Sequence, residues 1–248
     1  VVNTDPVTSI LSKNGWLKFS KGHDIDINHG GFKTGDEYLL HENAYSDKPL
    51  VFLDQLGFVY NLDPTKISIS RGQGEPLSRY FQIQDGISII GMHLLTEKLS
   101  ILTMTNYGYG FICLHEDLIV KNKKGKTLLR TKDSLAVKSI SVDLDNDLYY
   151  LIITDAGYML ISKIKNAPIL SKGRGVKLIN LPKLSEESIV FTGVLKKDQS
   201  LSFSYDSNRK RVMDFDTLKG FIMERNRRGK KIDKKFLLEK VKTTYNIE

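Results

Sequence analysis

One cysteine, Cys113, stands in 248 residues, so no internal disulfide can form. A chain of this size with no disulfide framework fits a reducing compartment. Prolines number only six, and no stretch rich in Pro, Gly or Ser interrupts the chain. That argues for a single domain over 1–248 rather than units on a linker. No apolar run approaches the roughly 20 residues that a membrane helix needs. The start carries no basic-then-apolar leader. The first residue is Val1, not Met, which reads as a piece of a longer chain with residues 1–6 as lead-in. Helical periodicity is scarce as well. Only 233–242 is amphipathic, with Phe236, Leu237 and Val241 on one side, so a short C-terminal helix or a frayed tail is expected there.

What the chain does have is a period of about fifty residues. An apolar run, a turn ending in glycine and a second apolar run recur at 9–17, 51–60, 101–109 and 151–160, with a degenerate copy at 201–212. Apolar β-formers around a glycine free to adopt φ > 0 predict a β-hairpin. A basic, glycine-containing element follows each copy. Its glycines, Gly22, Gly74, Gly125, Gly175 and Gly229, are 52, 51, 50 and 54 residues apart. Two landmarks with one period define repeats at about 7–48, 49–98, 99–146, 147–197 and 198–248. Fifty residues suit a four-stranded blade, and such units bury their faces only against one another. The expected fold is all-β: a propeller-like ring of five four-stranded blades.

The formal charge is +8, from 37 Lys/Arg against 29 Asp/Glu. It is concentrated. Residues 208–248 hold 13 basic and 6 acidic side chains, a net +7. Residues 118–132 and 156–185 contain no acid at all. The basic elements fall at equivalent points of successive repeats, so a ring would align them along a rim. A curved basic rim suits a duplex gripped by its phosphates rather than read by its bases. Bending 20–30 bp costs about 1–6 kcal/mol, which several phosphate contacts offset. The candidate DNA-binding residues are Lys21, Arg71, Lys121, Lys123, Lys124, Lys126, Arg130, Lys172, Arg174, Lys177, Arg209, Lys210, Arg211, Arg225, Arg227, Arg228, Lys230 and Lys231. The glycines among them would let phosphate approach main-chain N–H groups.

Other constellations carry less. The polar types at 22–29, including His23, Asp24, Asp26 and His29, match no standard zinc or calcium spacing. Asp143, Asp145 and Asp147 read as a solvated turn. Cys113 lies in an apolar run with no base nearby, so it is expected in the core. The 71–74 and 172–175 elements match neither nucleotide-binding glycine signature. Tyr107, Tyr109, Tyr149, Tyr150, Tyr158 and Trp16 sit within β-runs or beside turns and are expected to pack. No catalytic or metal site is expected.

Several stretches resemble the C-terminal domain of ParC, the A-subunit of bacterial DNA topoisomerase IV. They are Gly15-Trp16-Leu17-Lys18 with Lys21-Gly22-His23-Asp24, then Arg71-Gly72-Gln73-Gly74-Glu75-Pro76-Leu77, Lys121-Asn122-Lys123-Lys124-Gly125-Lys126, Ser171-Lys172-Gly173-Arg174-Gly175 and Glu224-Arg225-Asn226-Arg227-Arg228-Gly229. The resemblance runs along nearly the whole chain. It implies a five-bladed β-pinwheel whose blades exchange strands, and a rim that binds and bends duplex DNA and aids choice of the transported segment in decatenation and relaxation. It implies as partners the remainder of ParC and the ATPase B-subunit of topoisomerase IV, with no membrane, in a bacterial cytoplasm at the nucleoid. The whole enzyme would use ATP and Mg through other regions; for this domain no cofactor is expected, and no cleavage, since the catalytic tyrosine region is absent. The sister family, the C-terminal domain of DNA gyrase A, carries a Gln-Arg-Arg-Gly-Gly-Lys-Gly box that residues 20–24 lack. A gyrase domain and a blade-type protein-interaction scaffold remain the alternatives.

Overall fold

A computed structural model describes residues 3–27, 31–67, 74–206 and 208–248. The first repeat gives β1 (Pro6–Ser12), β2 (Trp16–Lys21) and β3 (Tyr38–Tyr45). The second gives β4 (Leu50–Asp54), β5 (Phe58–Leu62), β6 (Glu75–Pro76) and β7 (Ile89–Leu94). The third gives β8 (Ser100–Thr105), β9 (Tyr109–Leu114), β10 (Lys126–Thr127) and β11 (Ala136–Ser141). The fourth gives β12 (Leu148–Thr154), β13 (Tyr158–Lys163), β14 (Val176–Lys177) and β15 (Ile189–Lys196). The last holds β16 (Leu201–Ser204), β17 (Lys210–Met213), the one-turn helix α1 (Phe215–Leu218), β18 (Lys230–Lys231) and β19 (Thr244–Ile247).

The hairpins form as the sequence predicts. Their turn glycines, such as Gly57 (φ 83°) and Gly108 (φ 84°), take the left-handed conformation. A polar side chain at the end of the first strand closes the turn. Asp54 accepts the N–H of Leu56 (2.9 Å) and Phe58 (3.0 Å), and Ser12 Oγ accepts that of Trp16 (3.1 Å). The strands β4, β8 and β12 are buried along their whole length. Burial on both faces explains why β4 and β12 read as nearly continuous apolar runs rather than alternating ones.

The molecule is a five-bladed β-propeller of antiparallel sheets, in the orders β3-β1-β2-β6, β7-β4-β5-β10, β11-β8-β9-β14, β15-β12-β13-β18 and β19-β16-β17. The fifth sheet has three strands among the described residues. The strands β3, β7, β11, β15 and β19 pack against one another in succession and form the inner layer. The short strands β6, β10, β14 and β18 each leave their own repeat and become the outer strand of the preceding sheet. Lys177 pairs with Tyr109, and Lys231 with Tyr158. Glycine makes the crossing possible: at Gly175 (φ 79°) a Cβ would stand 2.2 Å from the carbonyl oxygen of Gly110.

Four apolar cores join neighbouring sheets: first to second around Phe52 and Tyr60, second to third around Phe111, third to fourth around Tyr150, and fourth to fifth around Phe203. Among the described residues no such core joins the fifth sheet to the first. The aligned Gly22 shows the same break. Its φ is 83°, like its counterparts, but a Cβ there would meet nothing within 4 Å. Its N–H bonds Pro6 O at 2.8 Å, inside its own sheet, and among the described residues no crossing strand follows it.

One expectation fails. Residues 233–242 form turns rather than a helix. Lys240 stands at φ 58°, which a right-handed helix cannot accommodate. The apolar side chains there serve a different end. Phe236 is buried, and Leu237, Leu238 and Val241 pack on the last core. The chain then runs out as β19, whose pairing with β16 completes the fifth sheet. The helix is α1 instead, started by Asp214, whose side chain accepts from Thr217 N.

Candidate nucleic-acid interface

Three basic loops, those of the third, fourth and fifth repeats, are pinned at both ends on the outer edge of the preceding sheet. In the third repeat Asn61 holds the near end: Nδ2 donates to Leu118 O (2.8 Å) and Oδ1 accepts from Val120 N (2.7 Å). In the fourth, Ile112 N donates to Pro168 O and Ile112 O accepts from Leu170 N, both at 2.9 Å. In the fifth, Ile161 bridges Ile222 in parallel and its carbonyl accepts from Met223 N (2.9 Å). The far end is the outer strand, paired two residues back along the same edge at Val59, Gly110 and Met159. The intervening residues, 121–125, 171–175 and 224–229, must therefore bulge outward.

The loops are also stitched to one another. Gln82 N donates to Lys123 O at 2.9 Å. Gly173 N donates to Leu128 O (2.9 Å), and Arg130 N to Gly173 O (2.8 Å). Asn180 N donates to Arg227 O (2.9 Å), and Arg225 Nη1 to Lys177 O (3.1 Å). The perimeter thus brings Arg130 beside the loop of Lys172 and Arg174, and Lys177 beside that of Arg225 and Arg227.

The cations in this belt are of two kinds. Lys121, Lys123, Lys124, Arg130, Lys172, Arg227 and Lys230 are exposed, and Lys126 and Lys177 half-buried. None of these forms an ion pair with a described residue. Arg174 and Arg228 are already engaged. The Arg174 guanidinium lies 3.7 Å from the centre of the Tyr109 ring, and that of Arg228 lies 3.6 Å from the centre of Tyr158. Arg228 also grips Glu187 with two hydrogen bonds of 2.8 Å. Glu187, 6% exposed, receives the Thr154 hydroxyl at 2.6 Å as well. Lys231 Nζ donates to Ala156 O at 2.6 Å. These three clip the outer strands onto the neighbouring sheet. Sequence reasoning missed the clips and Glu187. The signal that could have found them was the arginine directly before each of two crossing glycines and the tyrosine directly after two turn glycines.

The remaining candidates lie elsewhere. Lys21 ends β2 and is exposed outside any crossing loop. Arg209 pairs with Asp206 and Lys210 with Glu248, both at 2.8 Å; with the exposed Arg211 they belong to the β17 hairpin of the fifth sheet. Arg71 lies outside the described residues. The crossing glycines do not offer a bare backbone to a ligand: the space a side chain would take is filled by the neighbouring strand, as at Gly175 and Gly229.

Among the described residues no cluster of three or more His, Cys, Asp or Glu could hold a metal ion. Burial pushes the Cys113 thiol up to about 12, which leaves it an inert core group. His23 Nε2 contacts Ala44 O at 2.8 Å. Asp143 accepts from Asp145 N and Asn146 Nδ2, closing the expected turn, while Asp147 pairs with Lys197. Tyr149 and Tyr150 are buried. No helix among the described residues is long and apolar enough to cross a membrane.

A five-bladed propeller with outer strands exchanged between blades and basic crossing loops defines a class, the C-terminal domains of type II topoisomerase A-subunits. The sequence model described as "DNA gyrase C-terminal domain, beta-propeller" matches residues 100–135 and 148–192. The chain belongs to the family of topoisomerase IV ParC C-terminal domains. It superposes on the solved structure of the E. coli ParC C-terminal domain with TM-score 0.83 and 31% identity, over 98% of this chain and 99% of that one. It is 38% identical to the DNA topoisomerase 4 A-subunit of Haemophilus influenzae and 34% identical to that of Escherichia coli K12, over 91% of its length in each case. The chain spans 30% of the length of those relatives. A solved DNA gyrase A C-terminal domain matches with TM-score 0.72 at 16% identity, over 99% of this chain and 83% of that one, a likeness of fold. The gyrase alternative is thus the less supported of the two.

Proposed function

We propose that the outer perimeter of this propeller binds duplex DNA through its phosphates and guides the bend of the duplex around it. The observation that supports this most is the common anchoring of three basic loops, 121–125, 171–175 and 224–229, on equivalent residues of successive outer edges. Fixed spacing converts scattered lysines into an array that matches a periodic polyanion. The cations in these loops without internal partners are Lys121, Lys123, Lys124, Lys172 and Arg227, and with Arg130 and Lys177 they form the contact set. Lys126 and Lys230 extend it along the outer strands.

In this reading the domain serves a larger enzyme. The rest of ParC, together with the ATPase B-subunit, would supply cleavage, ATP use and Mg, in the bacterial cytoplasm and at the nucleoid. This domain would present the segment to be transported in decatenation and supercoil relaxation. No residue of this domain is assigned a covalent step.

The test is duplex binding by fluorescence anisotropy across a salt series with two unrelated sequences. The expected result is sequence-independent affinity with a log–log slope of about −0.9 for each phosphate neutralised. Affinity that ignores salt, or a clear preference for one sequence, overturns the reading.

A further inference from the structure

Each crossing segment carries an isoleucine at the same point. Ile119, Ile169 and Ile222 are the middle residues of the three brackets that hold the loops to Asn61, Ile112 and Ile161. Ile69, outside the described residues, holds the corresponding place in the sequence of the second repeat. The four are 50, 50 and 53 residues apart, and each precedes the first basic residue of its loop by two or three positions: Arg71, Lys121, Lys172 and Arg225. Ile119 is 43% exposed and Ile169 53%, while Ile222 is half-buried.

A single exposed isoleucine is ordinary on a protein surface. Recurrence at one register is different. The extended backbone of the bracket explains a β-branched residue, but threonine would satisfy that need at no cost in hydration. Exposed apolar surface beside lysines costs about 25 cal/mol for each Å² left in water, and nothing in the fold recovers it at Ile119 or Ile169. A partner that is anionic at its edges and apolar between them would recover it. The minor groove of a duplex is such a surface, with two phosphate rows about 6 Å apart and sugar faces along the walls. Apolar side chains placed there widen the groove and turn the duplex toward the major-groove side.

We propose that Ile119 and Ile169 are apolar contacts to the minor-groove sugar walls of the bound duplex, and that they set its bend while the flanking lysines hold its phosphates. This rests on the DNA-binding reading above, and the test separates the two. Ile119→Thr/Ile169→Thr keeps β-branching but shortens and hydroxylates the side chain; Ile119→Val/Ile169→Val shortens it to the same shape as threonine and keeps it apolar. Affinity is measured by anisotropy over the salt series, and bend by end-to-end energy transfer on a labelled linear duplex of about 30 bp, with thermal melts of each variant. The expected result is that the threonine variant binds 3- to 10-fold more weakly with an unchanged salt slope and a smaller bend, and that the valine variant behaves as the parent. A threonine variant equal to the parent in affinity and bend overturns the inference, as does equal loss in both variants, which marks a purely structural role. A parent chain that fails to bind duplex at low salt overturns the DNA-binding reading itself.

Discussion

At Gly175 a left-handed φ coincides with a neighbouring carbonyl oxygen 2.2 Å from the Cβ position, so backbone conformation and space both require glycine. Gly175→Ala is expected to destabilise the domain by about 1–3 kcal/mol, seen as a lower denaturant midpoint with an unchanged slope. An unchanged midpoint would remove the close approach from the account. The two kinds of cation are separable in the same way. Arg228 holds a nearly buried carboxylate and covers an aromatic face. Its replacement leaves the Glu187 carboxylate without its counter-ion, with only the Thr154 hydroxyl still donating to it, a loss of about 1–3 kcal/mol. Arg228→Gln should therefore lower the melting temperature and leave the salt slope of duplex binding as it was. Lys172→Gln should do the reverse, with the slope reduced by about 0.9 and the melt unmoved. A drop in slope with Arg228→Gln would place that side chain among the phosphate contacts.

At the scale of elements, legibility follows the length of the local signal. The four glycine-turn hairpins were readable because seven to ten residues of apolar run and a turn glycine act within one stretch of chain. The outer strands were not readable from periodicity. Each is two residues long, and its partner lies about sixty to seventy residues back in the sequence, across a sheet boundary. The glycine period marked where they start but not that they cross, and Gly22 keeps the period with no crossing strand after it among the described residues. The tail misled for a related reason: Phe236, Leu237 and Val241 fit a helical spacing, but what they meet is a core built by β16 and β13, which no local pattern reports. The buried His93 of β7 was equally hidden. It contacts Ser139 of β11 at 2.5 Å between the second and third sheets, and burial takes it down to about 4 from an ordinary 6.5. Below pH 6.5 the unfolded chain takes up a proton that the folded chain refuses, so stability falls as pH drops from 6.5 toward 4, by roughly 3 kcal/mol from this group. The nearby Glu42 carboxyl is shifted up by burial and works in the opposite direction. Comparing the parent with His93→Gln therefore isolates the histidine: urea midpoints at pH 7 and pH 4.5 should differ less in the variant. Equal pH dependence in the two would contradict the buried neutral imidazole.

At the scale of the whole molecule, among the described residues five sheets are held by four inter-sheet cores and four exchanged strands, which link the first sheet to the fifth along one continuous perimeter belt. The net charge read from the sequence lies mostly in the last repeat, but part of it is spent inside the fold, in the Arg209–Asp206, Lys210–Glu248 and Arg228–Glu187 pairs. What distinguishes a binding surface from a basic composition is therefore position, and position can be tested at constant charge. Lys123→Glu/Lys172→Glu/Arg227→Glu reverses one exposed cation in each stitched loop. Lys98→Glu/Lys196→Glu/Lys242→Glu makes the same change in net charge beside the inner strands. Duplex affinity of both triple variants and the parent, measured at one moderate salt concentration, decides the matter: the account predicts a loss of at least about a hundredfold for the loop variant and a change of only a few-fold for the inner one, whereas equal losses in the two would contradict it.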